Sequence, residues 1–351
     1  MTVNPTLINK RVSELLARMT LEEKIRQLGG YWFFELQTKG QLDLAKVKIK
    51  LKDGVGQLTR VAGAGNLAPL EAAKAYNQVQ KFLLEETRLG IPAINHEECC
   101  AGLMAKESTV YPQKIGLAST FQPELAREMT GQIRKQMLAM GARQGLAPVL
   151  DVCRDPRWGR IEETFGEDPL LVSQFGMEYI RGLQGDDPET GILATGKHFV
   201  GHAFSQGGLN CGPVHLGERD LWDVYLAPFQ AAVRDAGLLS MMNAYPELDG
   251  EVVAASKRIL TDLLRDTLGF DGVVVSDYEA VVMIHNYHKA VKNRKEAAIK
   301  ALSAGIDVEL PSFDCYTPGL QEALEAGDLS METIDLSVRR HLTKKFELGL
   351  F

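Results

Sequence analysis

The chain has 351 residues, 45% of them hydrophobic, with 39 Lys and Arg against 46 Asp and Glu and a formal net charge of -7. That much apolar material can offset chain entropy, which excludes a disordered chain, and the acidic balance lacks the basic stripe of a nucleic-acid binder. No apolar run is long enough to cross a bilayer, so neither nucleic acid nor membrane is expected as a partner.

The first residues, Met1-Thr2-Val3-Asn4-Pro5, show no charged segment leading into an apolar one, so no secretory leader is predicted and the expected location is cytoplasmic. Residues 8–28 read as one or two helices. Within them Thr20-Leu21-Glu22-Glu23 has the form of a capping box, in which the Thr oxygen accepts the amide three residues on. Short apolar or β-branched runs then recur at 54–60, 91–98, 145–152, 192–202, 238–245, 272–278 and 305–310. Amphipathic stretches at 70–87, 123–140, 219–236, 257–267 and 294–303 lie between them, with apolar positions three and four apart. A last helix is predicted over 331–346, stopped by Gly349. Strand and helix alternate with no Pro/Gly/Ser linker, which predicts one domain over 1–351.

Polar residues gather at the C-terminal ends of the runs: His96 and Glu98, Asp151, Lys197 and His198, Asn243 and Tyr245, and Asp277. In a closed parallel barrel those ends meet on one face. The expected fold is therefore α/β, a TIM-like (β/α)8 barrel, irregular or incomplete in places, with an N-terminal helical segment. A pocket holding Asp277, Glu98, Asp151, Lys197, His198 and Arg160 beside aromatic rings suits a polyhydroxylated ligand, whose hydroxyls each need a partner once desolvated. Asp277 follows Val273-Val274-Val275-Ser276, a placement that suits a nucleophile aimed at carbon, although an Asp after such a strand also serves as a helix cap.

Metal and cofactor readings are weaker. His198 and His202 are four apart but lie on a strand end and a loop, so a shared helical metal face is not expected. In His96-Glu97-Glu98-Cys99-Cys100 only alternate side chains can converge. The five cysteines are odd in number and irregularly spaced, without a CxxC pair, which reads as reduced thiols. No glycine-rich phosphate motif follows a strand. Neither a cofactor nor a metal is predicted.

Seven motifs in order resemble a known family. They are Arg18-Met19-Thr20-Leu21-Glu22-Glu23-Lys24-Ile25, Ile91-Pro92-Ala93-Ile94-Asn95-His96-Glu97-Glu98, Asp155-Pro156-Arg157-Trp158-Gly159-Arg160, Glu163-Thr164-Phe165-Gly166-Glu167-Asp168-Pro169, Lys197-His198-Phe199-Val200-Gly201, Met242-Asn243-Ala244-Tyr245 and Val274-Val275-Ser276-Asp277-Tyr278. The chain resembles the N-terminal catalytic domain of glycoside hydrolase family 3, the β-glucosidases and β-xylosidases. The resemblance implies a small carbohydrate substrate. It implies Asp277 as catalytic nucleophile, Arg160, Lys197 and His198 gripping the glycone hydroxyls, Glu98 holding the far side of that sugar, and Tyr245 and Tyr278 beside the nucleophile. The implied mechanism is double displacement with retention. Arg160 and Lys197 are expected to hold the Asp277 carboxyl low.

Two departures accompany the resemblance. The family's usual acid/base is a Glu in a downstream α/β-sandwich domain, and residues 345–351 resemble the end of the first domain, so that domain is expected to be absent. A single-domain branch, the bacterial β-N-acetylhexosaminidases, places a His-Asp dyad in the loop after the Lys-His strand, and residues 201–210 hold no Asp-x-His. The expectations are a retaining β-glycosidase domain whose acid/base is not visible, a silent sugar-binding or scaffold barrel, or a divergent hexosaminidase. The barrel face that a second domain would cover is expected to favour self-association or to receive that missing domain.

Overall fold

The computed structural model describes residues 5–351, so the leader reading, which rests on residues 1–5, falls outside it but for Pro5. Seven parallel strands form one sheet in sequence order: β1 (Gly30–Trp32), β2 (Gln57–Thr59), β3 (Ile94–Glu97), β4 (Ala142–Gly145), β5 (Leu193–Phe199), β6 (Ser240–Asn243) and β7 (Val273–Val275). The segment after the helix Arg294–Ala304 supplies the last stave. Val308 bridges Val275, the Asp307 amide donates to the Val274 carbonyl (2.8 Å), and the Glu309 amide donates to the Leu28 carbonyl (2.8 Å), just ahead of β1. The sheet therefore curls back on itself, as a barrel requires.

Seven of these eight staves coincide with or adjoin predicted runs. β1 is the exception, because three residues after a Gly-Gly pair offer too little alternation to read. β4 begins ahead of the predicted run at 145–152, and that run continues the stave: the Leu146 amide donates to the Glu97 carbonyl (2.9 Å), the Thr195 amide to the Ala147 carbonyl (2.9 Å) and the Leu150 amide to the Lys197 carbonyl (2.6 Å), although Pro148 has no N–H to give. The stretch 219–236 is not one helix. Short turns lead into Ala227–Arg234, whose second residue is Pro228. Residues Arg258–Thr267 wind wider than an α-helix, with five-residue hydrogen-bond spacing. The helix Pro169–Gln184, capped by Asp168 on the Leu171 amide (2.8 Å), carried too many apolar residues to stand out by its period.

The N-terminal prediction holds in detail. Two helices, Pro5–Arg18 and Leu21–Arg26, meet at Thr20, whose Oγ1 accepts the Glu23 amide while Glu23 accepts the Thr20 amide. The last helix, Met331–Glu347, packs against the first and presents polar groups to the barrel floor. There His341 Nδ1 donates to the Gln27 carbonyl (2.7 Å) and lies with Nε2 3.4 Å from Gln57 Nε2. Inside the barrel Gln57 donates to Gln144, which donates to Thr195 and Ser240. This polar floor is fully buried and hydrogen-bonded, so it specifies one register of the staves.

The floor has a consequence for acid stability. Burial keeps His341 well below its ordinary pKa, and burial with the nearby Arg60 and Lys197 charges holds His96 down to about 3. Unfolding lets both imidazoles take a proton near roughly pH 6.5. These two imidazoles therefore contribute stability that is lost as pH drops below that value, while the raised carboxyls of Glu97, Asp151, Asp277 and Glu309 act in the opposite sense. The urea midpoint of His341→Gln, taken relative to that of the parent, is expected to rise between about pH 7.5 and about pH 5. A difference between the two that stays constant over that interval contradicts a neutral buried His341.

Candidate active site

The C-terminal ends of β3, β5, β6 and β7 bring Glu98, Lys197, His198, Tyr245 and Asp277 together, and the loop after β4 adds Asp151 and Arg160. Lys197 and His198 are consecutive at the end of β5, and the Lys197–His198 and Phe199–Val200 peptides are cis. Lys197 Nζ donates to Glu98 Oε2 (3.0 Å) across the barrel mouth. Burial works against the Lys197 charge, but Glu98 outweighs it and holds the ammonium above the ordinary lysine range. The neighbouring Glu97 points the other way and accepts the Ala62 (2.6 Å) and Gly63 (3.2 Å) amides. Strand alternation thus separates a loop-holding carboxylate from a pocket one.

His198 is held from both sides. Its backbone N–H and Nδ1 both bond Asp151 Oδ2 (3.0 and 2.8 Å), and Arg160 Nη2 reaches its Nε2 (3.0 Å). A guanidinium can only donate, so Nε2 is the bare nitrogen and Nδ1 carries the proton. Burial first, then the Arg160 charge, keeps this imidazole neutral. Arg160 is itself oriented by a two-pronged pair with Glu163 (2.9 and 2.9 Å). Glu163 sits three residues on, in a motif the resemblance quoted without assigning it a role. Its signal was the Arg-x-x-Glu spacing. Asp151 was visible as a strand-end carboxylate, but its bond to His198 joins residues 47 apart in sequence.

Asp277 stands at the centre, 8% exposed. Its amide donates to Asn243 Oδ1 (3.2 Å), and its Oδ1 accepts the Tyr278 amide (2.7 Å). Oδ2 has no hydrogen-bond partner and lies 3.7 Å from His198 Nε2. Here the sequence expectation needs correction. Burial pushes the carboxyl up to about 6, outweighing the downward pull of Lys197, Arg160 and the Tyr278 amide. The group is not held low, although at neutral pH it is still mostly ionised. Glu279, two residues on, has a left-handed backbone (φ 65), which ends β7 sharply and lets its amide reach the Leu310 carbonyl (3.0 Å).

The two tyrosines differ in use. Tyr245 donates to the Tyr278 carbonyl (2.8 Å) and stands edge-on to His202. Burial, then the Asp277 charge, raises its phenol well above the ordinary range, so it stays a donor. The Tyr278 hydroxyl turns into the barrel and bonds His96 Nε2 (3.0 Å), whose Nδ1 donates to Gln57 Oε1 (2.6 Å). Tyr278 therefore offers the pocket its ring, set edge-on to Trp32 (centroids 5.1 Å apart), rather than its hydroxyl. The structure also brings His202 against His198, centroids 4.5 Å apart, and Trp158 against His202. A separate groove of about 530 Å³, lined by Pro5, Ile8, Asp186, Asp271, Lys344 and Glu347, lies where strands begin and shares no residue with this site.

A parallel β/α barrel with a buried carboxylate, two cations and a neutral imidazole at its C-terminal rim defines the class of barrel glycoside hydrolases. The chain belongs to glycosyl hydrolase family 3: residues 20–343 match the family's N terminal domain. It is 40% identical over 282 residues to a β-xylosidase of Formosa agariphila, covering 75% of this chain and 39% of that one. It is 30% identical to a periplasmic β-glucosidase of Salmonella typhimurium, covering 97% of this chain and 42% of the other. Among solved structures, a β-glucosidase from Erythrobacter marinus superposes with a TM-score of 0.92 at 34% identity, over 98% of this chain and 45% of that one. A β-glucosidase from Listeria innocua in complex with isofagomine gives 0.86 at 33%, over 97% and 46%. The chain thus spans less than half the length of these relatives.

Proposed function

We propose that this domain binds the terminal sugar of β-D-glucosides or β-D-xylosides and carries the nucleophile of a retaining hydrolysis. The observation that carries the reading is the buried, partnerless Oδ2 of Asp277, ringed by the bare Nε2 of His198 and the charges of Lys197 and Arg160. Asp277 Oδ2 attacks the anomeric carbon as the glycosidic bond breaks, giving a glycosyl ester. Water then cleaves the ester and the anomeric configuration is retained. Glu98, Lys197, Arg160 and His198 offer paired donors and acceptors for the ring hydroxyls.

Three further carboxylates at the pocket are already engaged: Glu98 by Lys197, Glu163 by Arg160 and Asp151 by His198. Each of the three is engaged rather than free to protonate a leaving group, and on this reading the acid comes from outside the domain. The reading is of one domain, 1–351, working beside a second domain or a second copy. Exposed Met104 and Val110, on the loop that follows β3, support a covered face there. Concentration-independent monomeric scattering by the 351-residue chain would count against a second copy.

The hexosaminidase reading is disfavoured. His202 is buried with Nε2 bound to the Asn210 carbonyl (2.8 Å), and His215 is an exposed side chain 3.6 Å from Asp249. The silent-barrel reading and the glycosidase reading separate in one experiment. Incubation with a 2-fluoro glucoside or xyloside bearing a nitrophenolate leaving group is expected to label Asp277, because such a leaving group needs little protonation. Sugar binding without any label makes the barrel silent, and a label on another residue removes Asp277 from the role.

A further inference from the structure

Asp151, His198 and His202 meet behind the proposed sugar pocket, all three buried. One ligand-capable atom of each lies within 4.8 Å of the other two. The sequence reading set aside a shared helical metal face, because the two histidines lie on a strand end and a loop. Here the strand end of β5 and the turn at Gly201 (φ 85) fold the two rings onto each other instead. His202 is fixed through Nε2, which donates to the Asn210 carbonyl (2.8 Å). That leaves Nδ1 with a lone pair, and it is buried without a partner. An imidazole oriented by a carbonyl at one nitrogen and bare at the other is how proteins present histidine to a metal.

We propose that Asp151, His198 and His202 bind a divalent cation of the zinc type. Two imidazoles and one carboxylate suit zinc and its neighbours rather than magnesium or calcium, which take oxygen sets. The carboxylate of Asp151, and that of Glu163, which bears on both Asp151 and His202, stand against the cations Arg160, Lys197 and Lys114 that bear on His198. The proton balance is internal. His198 binds through Nδ1, the nitrogen beside Asp151, so its proton moves to Nε2 and none is released overall. Nε2–H then faces Asp277 Oδ2, now 3.7 Å away and without a partner, and Arg160 gives up its contact with Nε2. A bound cation therefore opposes sugar binding. That last consequence rests on the glycosidase reading, whereas the site itself does not.

The test uses the chelator-treated 351-residue chain. Calorimetry with Zn2+ is expected to give one site per chain. Co2+ is expected to give visible bands of a four-coordinate nitrogen and oxygen set without thiolate absorption. His202→Phe keeps a ring against Trp158 and should weaken Zn2+ binding by about 100-fold. Asp151→Asn, which preserves shape, serves if that variant does not fold. Absence of stoichiometric binding, thiolate bands reporting the cysteines, or affinity unchanged in the folded variant would overturn the proposal. Glucose is expected to weaken Zn2+ binding. A Zn2+ affinity indifferent to glucose, yet lost in His202→Phe, upholds the cation site; glucose that binds the metal-free chain then overturns the antagonism, and glucose that does not bind tells against the sugar reading.

Discussion

Asp277→Ala is expected to lower turnover of nitrophenyl β-glucosides or β-xylosides by about 10⁴–10⁶-fold, the scale seen when a covalent nucleophile is removed. The site's other groups cannot replace it. Glu98 and Glu163 are each tied to a cation, and the Asp151 carboxylate is bound to His198. The alanine leaves a space where Oδ2 stood, beside Lys197 and Arg160, both of which attract an anion. Azide or formate should enter it and restore part of the turnover of activated substrates, now with inversion, because a single displacement replaces two. Loss of activity without rescue, in a variant that still melts as the parent does, would leave Asp277 a binding residue. Activity within tenfold of the parent would end its claim to the role.

The largest effect on stability is expected from Asp307→Ala, at about 3–5 kcal/mol. Asp307 is fully buried in the closing segment of the barrel. Its Oδ2 accepts from Arg265 (2.7 Å) and from the Val274 amide (2.9 Å). Its Oδ1 accepts from Arg340 (3.0 Å) and Ser337 (3.0 Å). Removing the carboxylate leaves the Arg265 guanidinium buried with only the Gly272 carbonyl (3.0 Å), and it orphans an amide in β7. Uncompensated buried charge costs more than the pair contributes, which is why deleting one partner is worse than never having either. Asp307→Asn retains acceptor oxygen and should lose less. Urea unfolding of both variants decides it, and a change below about 1 kcal/mol for the alanine would show that Arg265 finds water instead. Since Val274 lies three residues before Asp277, the alanine variant should also bind sugar more weakly at temperatures where it remains folded.

Much of the architecture was legible in the chain because its signals are local. The capping box at Thr20, the alternation of apolar runs with three-four periodicity, and the valines ahead of Asp277 each depend on residues a few positions apart. Where the local signal was short or mixed, it failed. β1 has three residues, and 219–236 breaks ahead of Pro228.

The site divides along the same line. By itself the sequence determined which side chains stand at the strand ends, and through its seven motifs the family to which they belong. Only the tertiary structure decided what each group does there. It set Glu98, not Glu97, toward Lys197 and turned the Tyr278 hydroxyl away to His96. It made Glu163 the partner of Arg160 and set His202 edge-on to His198. It also reversed the expected sign at Asp277, whose carboxyl is pushed up to about 6 although two cations face it. The reason is physical. Period and capping are set by neighbours along the chain, whereas desolvation and charge are set by neighbours in space, and around Asp277 those come from residues 160 to 278.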